Sequence, residues 1–91
     1  MAVMFTRAQV GDYEAWKAMF DSDPPGARRA AKSHRVLRVV DDPSSVLVVV
    51  DFDSVEDARE ARERLVSSGV LDRLPSHDGP TIAEVADAVT Y

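Results

Sequence analysis

The sequence contains no cysteine, which excludes disulfide bonds, thiolate catalysis and metals held by cysteine. Long hydrophobic runs are also missing, and the stretch Val46–Val50 is far shorter than the roughly 20 residues of a membrane-spanning helix. The apolar start of the chain reaches Arg7 too soon to form the core of a signal peptide. These absences predict a protein that does not enter a membrane, and we expect it in the reducing cytoplasm.

Positive charge is in short supply as well. The net charge is −5, and the 11 Lys and Arg residues are not gathered in one segment, so the chain would repel a phosphate backbone and we predict no nucleic-acid partner. The two histidines, His34 and His77, have no paired spacing, which argues against a metal site. No glycine-rich phosphate loop or nucleophile motif occurs, and we predict no cofactor.

The residues that are present describe a folded chain, since 45% are hydrophobic and 30% are charged. A length of 91 residues predicts one domain over residues 1–91. A domain of this size buries a modest fraction of its surface on folding, so a partner subunit would add useful burial. We therefore expect a homodimer.

The first half of the chain predicts a strand followed by an amphipathic helix. Segment 2–10 is rich in strand formers, and Asp12 is a good helix N-cap. Apolar side chains then recur at the three-to-four spacing of one helical face: Tyr13, Trp16, Met19 and Phe20. The segment DPPG, residues 23–26, interrupts this helix, although Asp23 with Pro24 could cap a further short helix through Ala31.

The second half predicts a hairpin, a helix and a last strand. The hairpin is SHRVLRVVDDPSSVLVVVDFDS, with turn residues at 41–45. Ser54 begins a capping box for a helix that ends at Gly69, and VLDRL predicts a short helical turn. The last strand is predicted over residues 81–91. The order strand, helix, strand, strand, helix, strand predicts an α+β, ferredoxin-like βαββαβ antiparallel sheet with both helices on one face.

The hairpin is apolar on both faces, so its register decides what each face carries. If Asp41 lies opposite Val46, Val36 lies opposite Asp51. Alternation then places one set on the face away from the helices, the open face: His34, Val36, Arg38, Val40, Leu47, Val49, Asp51 and Asp53. This face is too apolar for water and carries a few charges, which predicts a covered, partly polar cavity. A register change of one residue would exchange the faces.

Three segments, DYEAWK, SHRV.R..DDP and V.V.DF.S.E.A, resemble the small dimeric α/β-barrel proteins related to the antibiotic biosynthesis monooxygenases, over almost the whole chain. The resemblance implies that two subunits pack sheet to sheet and close a dimeric α/β barrel around the open face. Members include cofactor-independent oxygenases acting on polycyclic phenols, haem-degrading enzymes, and cyclases or decarboxylases.

The chain departs from the best-understood members, which use asparagine, often with tryptophan, in the pocket. It has no asparagine, and its one tryptophan, Trp16, lies on the predicted first helix. The mechanism of those members therefore does not transfer residue by residue, and haem degradation is put in particular doubt.

The candidate catalytic residues are His34, Arg38 and Asp51. His34 could take a proton from a phenol or an enolisable carbon, and Arg38 could stabilise the anion formed. Asp51 would lie diagonally across the hairpin from both. The alternative interpretation is a buried charge network with no catalytic role.

Further residues are expected to contact a substrate: Val36 and Val49 on the open face, Arg7 of the first strand if its alternation matches, Phe5, for which the alternative is a place in the core, and His77 in a loop at the barrel mouth. Tyr13 and Trp16 are expected to pack the helix on the sheet. The predicted function is a small-molecule enzyme or binding protein, with cofactor-independent oxygenation or cyclisation of an aromatic or polyketide-like substrate. The alternative is a non-catalytic dimerisation or ligand-sensing module.

Overall fold

The computed structural model describes residues 1–23 and 26–91. Its elements in chain order are β1 (Ala2–Gln9), α1 (Tyr13–Ser22), β2 (Ser33–Val39), β3 (Asp42–Phe52), α2 (Val55–Ser67), a short 3-10 turn (Leu71–Arg73) and β4 (Ser76–Glu84). The strands form one antiparallel sheet in the order β2-β3-β1-β4. The predicted βαββαβ, ferredoxin-like fold is confirmed. Within the described ranges, no helix has both the length and the apolar character that crossing a membrane requires.

Both helices begin where the sequence predicts them. The Asp12 carboxylate accepts hydrogen bonds from the amides of Glu14 and Ala15 at the start of α1. The Ser54 hydroxyl accepts one from the Asp57 amide at 3.1 Å at the start of α2. These side chains satisfy amides that have no partner within the first turn of a helix.

The chain after α1 forms a turn rather than the predicted short helix. Asp23 adopts a left-handed conformation with φ of 45°, and its carboxylate accepts hydrogen bonds from the amides of Ala27 and Arg28 at 3.2 and 3.1 Å. Residues 27–30 are in turns. The predicted break at Pro24 and Pro25 lies outside the described residues.

One face of the sheet packs under the two helices and is called the helix face here. Its buried side chains come from alternate positions of two central strands: Ala2, Met4, Thr6 and Ala8 of β1, and Val46, Val50 and Phe52 of β3. Ala58 and Ala61 of α2 cover one end, and Trp16 of α1 covers the other. Both α1 and α2 lie on the helix face, and the opposite side of the sheet is called the open face.

The register of β2 against β3 differs from the expected one. Val36 pairs with Val48 instead of Asp51, a shift of three positions along β3. Because directly paired residues share a face, an odd shift moves every residue of β2 to the other side of the sheet. His34, Val36 and Arg38 therefore lie on the helix face, and their assignment to the open face is wrong.

The shift arises from where the hairpin turns. Val40 and Asp41 form the turn, so β3 already begins at Asp42, and the extra residues are taken up by a bulge next to Val39. The Arg38 side chain donates from Nε to the Pro43 carbonyl oxygen at 3.2 Å across this bulge. Bulges change the local pairing without ending the strand, and the sequence-based turn at 41–45 did not include one.

The last strand also differs from its prediction, because β4 spans Ser76–Glu84 instead of 81–91. Its partner strand β1 begins at Ala2, which lies opposite Glu84. One more hydrogen bond joins the Val85 amide to the Met1 carbonyl oxygen at 3.1 Å. Residues 85–91 have no regular structure and are exposed. His77, predicted in a loop, is part of β4.

Candidate ligand-binding cavity

The apolar cavity lies between the helix face of the sheet and the helices, with a volume of about 80 Å³. Its lining comes from every layer of the fold: Met4, Thr6 and Ala8 of β1, Val48 and Val50 of β3, Trp16, Met19 and Phe20 of α1, Leu65 of α2, Val70, Leu71 and Leu74 after α2, and Asp23, Ala27 and Arg28 after α1. The predicted cavity was on the open face, and the structure places this one on the other side of the sheet.

An aromatic wall, formed by Tyr13, Trp16 and Phe20, runs along α1. The rings of Trp16 and Phe20 stack with centroids 5.0 Å apart, and the Tyr13 ring is tilted 5.9 Å from that of Trp16. Side chains three and four residues apart meet on one helix face, which explains the row. Besides its expected role in packing the helix on the sheet, Trp16 can contact a molecule in the cavity, since it is 8% exposed and lines that space.

Arg28 and Asp23 are the charged residues among those that line the cavity. The Arg28 guanidinium lies 3.9 Å from the centre of the Phe20 ring, donates to the Phe20 carbonyl oxygen, and has Nε 3.6 Å from an Asp23 carboxylate oxygen. A cation over an aromatic face is stabilised by the ring quadrupole. Arg28 was not predicted from the sequence, because its direction depends on the turn that the Asp23 carboxylate organises.

The three proposed catalytic residues do not meet. The His34 ring has its edge toward Phe20 with centroids 5.3 Å apart, and the Arg38 guanidinium lies 4.2 Å from the Tyr13 ring centre. Both side chains are exposed and on the helix face, outside the set that lines the cavity. Asp51 is on the opposite face and accepts a 2.7 Å hydrogen bond from Ser33. The expected cluster of the three is wrong because it depended on the incorrect register.

The residues expected to contact a substrate divide between the two faces. Val49 lies on the open face, as predicted, and its partner Phe5 and Arg7 lie there as well. Val36 instead packs on the helix face, beside the cluster around Trp16. A substrate-binding role for any of them stays a prediction.

His77 and Arg7 line a shallow polar depression of about 280 Å³ at the end of the sheet. The His77 Nδ1 atom lies 3.0 Å from the Gly79 carbonyl oxygen. The depression is also lined by Gln9 and Ser45, and the buried Ser45 hydroxyl has no hydrogen-bond partner among the described residues. The expected substrate contact of His77 likewise stays a prediction.

A hydrogen bond between Asp42 and Gln9 connects the hairpin bulge to β1. Gln9 donates from Nε2 to Asp42 at 2.8 Å, and the Ser44 hydroxyl lies 2.8 Å from the other carboxylate oxygen. The hydrogen bond from Gln9, followed by that from Ser44, lowers the pKa of Asp42 below its ordinary value of 3.8, because both favour the ionised form. The Arg7 charge acts in the same direction.

Comparison with known proteins identifies the fold. No family model matches the chain, and no curated protein matches it in sequence. A solved structure described as a putative antibiotic biosynthesis monooxygenase from Nitrosomonas europaea matches 96% of this chain and 100% of its own, with a TM-score of 0.69 and 20% identity. The chain has the fold of that protein.

A second solved structure, described as a putative antibiotic biosynthesis monooxygenase from Deinococcus radiodurans, is similar over 100% of this chain and 98% of its own. Its TM-score is 0.68 and its sequence identity is 10%. The arrangement of strands and helices is thus shared at low identity, in agreement with the resemblance read from the sequence. Since one fold supports many activities, the function has to be argued from the cavity.

Proposed function

We propose that this protein binds a small aromatic molecule in the cavity between its sheet and helices. The observation that carries the proposal is the aromatic wall, where Trp16 and Phe20 stack beside an apolar floor of Met4, Val48 and Val50. Ligand pockets are typically apolar with a few placed polar groups. A flat ring would add further aromatic contacts to those already present along α1.

The size of the cavity limits how much of a ligand can enter it. Its volume of about 80 Å³ is roughly half of the ~150 Å³ that admits benzene in an engineered apolar cavity. Met4 and Met19 line it, and their unbranched side chains can change rotamer more easily than branched ones. We therefore expect one ring, or one edge of a larger ring system, to enter as these methionines move.

Oxygenation without a cofactor is the reaction that the structural likeness favours. A phenol could supply the electrons itself: dioxygen would put one oxygen atom into the ring as a quinone carbonyl, and the other would leave as water with two hydrogens from the substrate. Cyclisation is the related possibility, in which an enolate attacks a carbonyl of the same molecule. Both reactions begin with loss of a proton from the substrate.

A non-catalytic ligand-sensing module is the second candidate, and the polar lining favours it. No imidazole lines the cavity among the described residues, and the carboxylate of Asp23 already accepts two amide hydrogen bonds beside Arg28. Binding therefore has more support from the geometry than proton transfer does.

We further propose that two copies associate through the open face as a homodimer. This face exposes Phe5 and Leu37, at 37% and 44%, next to Val49 and Leu47 of the central strand. Contiguous apolar surface of this kind is characteristic of interaction sites. Arg35 and Asp51 add charge to the same face, as expected at the polar rim of an interface.

Native mass spectrometry of the gently purified protein tests binding and association in one spectrum. A dimer that retains a small aromatic molecule would support both proposals, and an empty monomer that binds no added phenol would contradict both. Ala8→Leu, which fills the cavity, should release the molecule, whereas Ala15→Leu on the exposed side of α1 should not. Oxygen uptake with the identified ligand then separates an oxygenase from a binding module.

A further inference from the structure

Thr6 is a polar side chain in the apolar floor of the cavity. It is 7% exposed, lies on the helix face opposite Val48, and lines the cavity between Met4 and Ala8. Its hydroxyl makes no side-chain hydrogen bond within the described part of the chain. The Thr6 side chain therefore borders the cavity while its hydroxyl has no hydrogen-bond partner in the described residues.

Alternation along β1 sets the direction of Thr6, because Thr6 pairs in unbroken register with Val48 of β3 on the helix face. The pairing of β1 with β4 shifts between Phe5 and Arg7, on either side of Thr6. Across from it is Gly79 with φ of 97°, where an added Cβ would lie 2.9 Å from the Phe5 carbonyl oxygen. Bulges of this kind occur often beside active sites. Thr6 was not singled out from the sequence, although alternation with Phe5 and Arg7 places it on the face opposite to theirs.

A hydroxyl that is largely removed from water and has no partner in the protein is unfavourable for folding, because it gives up most of its hydrogen bonding to water. Valine has nearly the same shape and would suit a floor made of Met4, Val48 and Val50. The hydroxyl therefore points to a ligand atom that completes its hydrogen bonding.

We propose that the Thr6 hydroxyl binds an oxygen atom of the ligand, so that the cavity selects aromatic molecules carrying one phenolic or carbonyl oxygen over equally large hydrocarbons. The inference rests on the proposed function, since it assigns a specificity-determining residue to the same cavity. A phenolic or carbonyl oxygen over the centre of β1 would place the ring against Trp16 and Phe20.

The change in Trp16 fluorescence on binding measures this preference directly, since Trp16 is the one tryptophan of the chain and lines the cavity. The probes are p-cresol and p-xylene, which differ by a hydroxyl in place of a methyl group. The quantity of interest is the ratio of their dissociation constants, compared between the wild-type protein and Thr6→Val. We expect the preference for the phenol to fall about two- to tenfold, the range of one ordinary hydrogen bond.

Thr81→Val is the matched control, because it makes the same change in β4 on the open face and should leave the ratio unaltered. Thr6→Ser keeps the hydroxyl and should retain most of the preference. An unchanged ratio in Thr6→Val would overturn the role of Thr6 while leaving the cavity as a binding site. Failure of both probes to bind the wild-type protein would instead overturn the proposed function, and the inference with it.

Discussion

The two faces of the sheet are built from alternate residues of the same strands, yet only one is covered within the chain. On the helix face, Phe52 is fully buried and Val50 is 2% exposed, whereas Phe5 and Leu37 on the open face remain partly exposed. Helices need an apolar face beneath them, but apolar residues on the opposite face need a different explanation. The comparison teaches that the helix face supplies monomer stability and the cavity, and that the open face is suited to association.

The largest expected effect separates two phenylalanines on opposite faces. Phe52→Ala should lower the free energy of unfolding by about 3–5 kcal/mol, because it removes a fully buried aromatic ring and leaves a cavity. Phe5→Ala should cost the isolated subunit much less, since Phe5 is 37% exposed there. Urea denaturation measures both free energies of unfolding, at protein concentrations below the dissociation constant of the proposed dimer. Equal losses would contradict the assignment of the core to one face.

A charge on the open face should break association without unfolding the subunit. Leu37→Asp buries an unpaired carboxylate in the proposed interface, and we expect at least a tenfold weaker dimer. Light scattering after size-exclusion chromatography across a concentration series measures the change. Val40→Asp, in the hairpin turn where Val40 is highly exposed, is the matched control. A dimer that survives Leu37→Asp unchanged would place the interface elsewhere.

The smallest expected effect concerns Asp42, in the bulge that determines which residues of β2 lie on each face of the sheet. Because hydrogen bonding lowers the pKa of Asp42 in the folded state, its contribution to stability is present above the unfolded value near 3.8 and is lost as the pH falls through the folded pKa. The unfolding free energy of the wild type should therefore fall more steeply below about pH 4 than that of Asp42→Asn.

Asp41→Asn provides the control for this pH dependence, because it removes a charge from the adjacent turn residue and keeps the Gln9 and Ser44 hydrogen bonds to Asp42. Thermal unfolding between pH 2.5 and pH 7 gives the profiles, with these limits chosen to extend roughly on both sides of an ordinary Asp pKa. Parallel profiles for the wild type and Asp42→Asn would show that the network contributes no pH-dependent stability.

The parts of the fold that local chemistry controls were predictable from the sequence. Asp12 and Ser54 cap the two helices as expected, since a side-chain oxygen and the amides two or three residues later are neighbours in the chain. The apolar spacing from Tyr13 to Phe20 likewise identified the face of α1 that packs inward. The order of the elements followed from these local signals.

The candidate site was less predictable, because it depends on contacts between distant residues. The expected placement of His34, Val36 and Arg38 on the open face failed with the register, and neither Thr6 nor Arg28 was singled out. Thr6 owes its role to the residues of α1 and of the segment after α2 that enclose the cavity with it, and Arg28 owes its direction to a turn fixed by Asp23. Val49 was placed on the correct face, since alternation within β3 does not depend on its pairing with β2.

The sequence by itself determined the helices, their caps and the two apolar sides of each central strand, because these depend on residues a few positions apart. Only the tertiary structure decided which side of β2 faces the helices. The bulge after Asp42 shifts the pairing by an odd number of positions, and with a side-chain period of two such a shift exchanges the faces. His34 and Asp51 are separated for that reason alone.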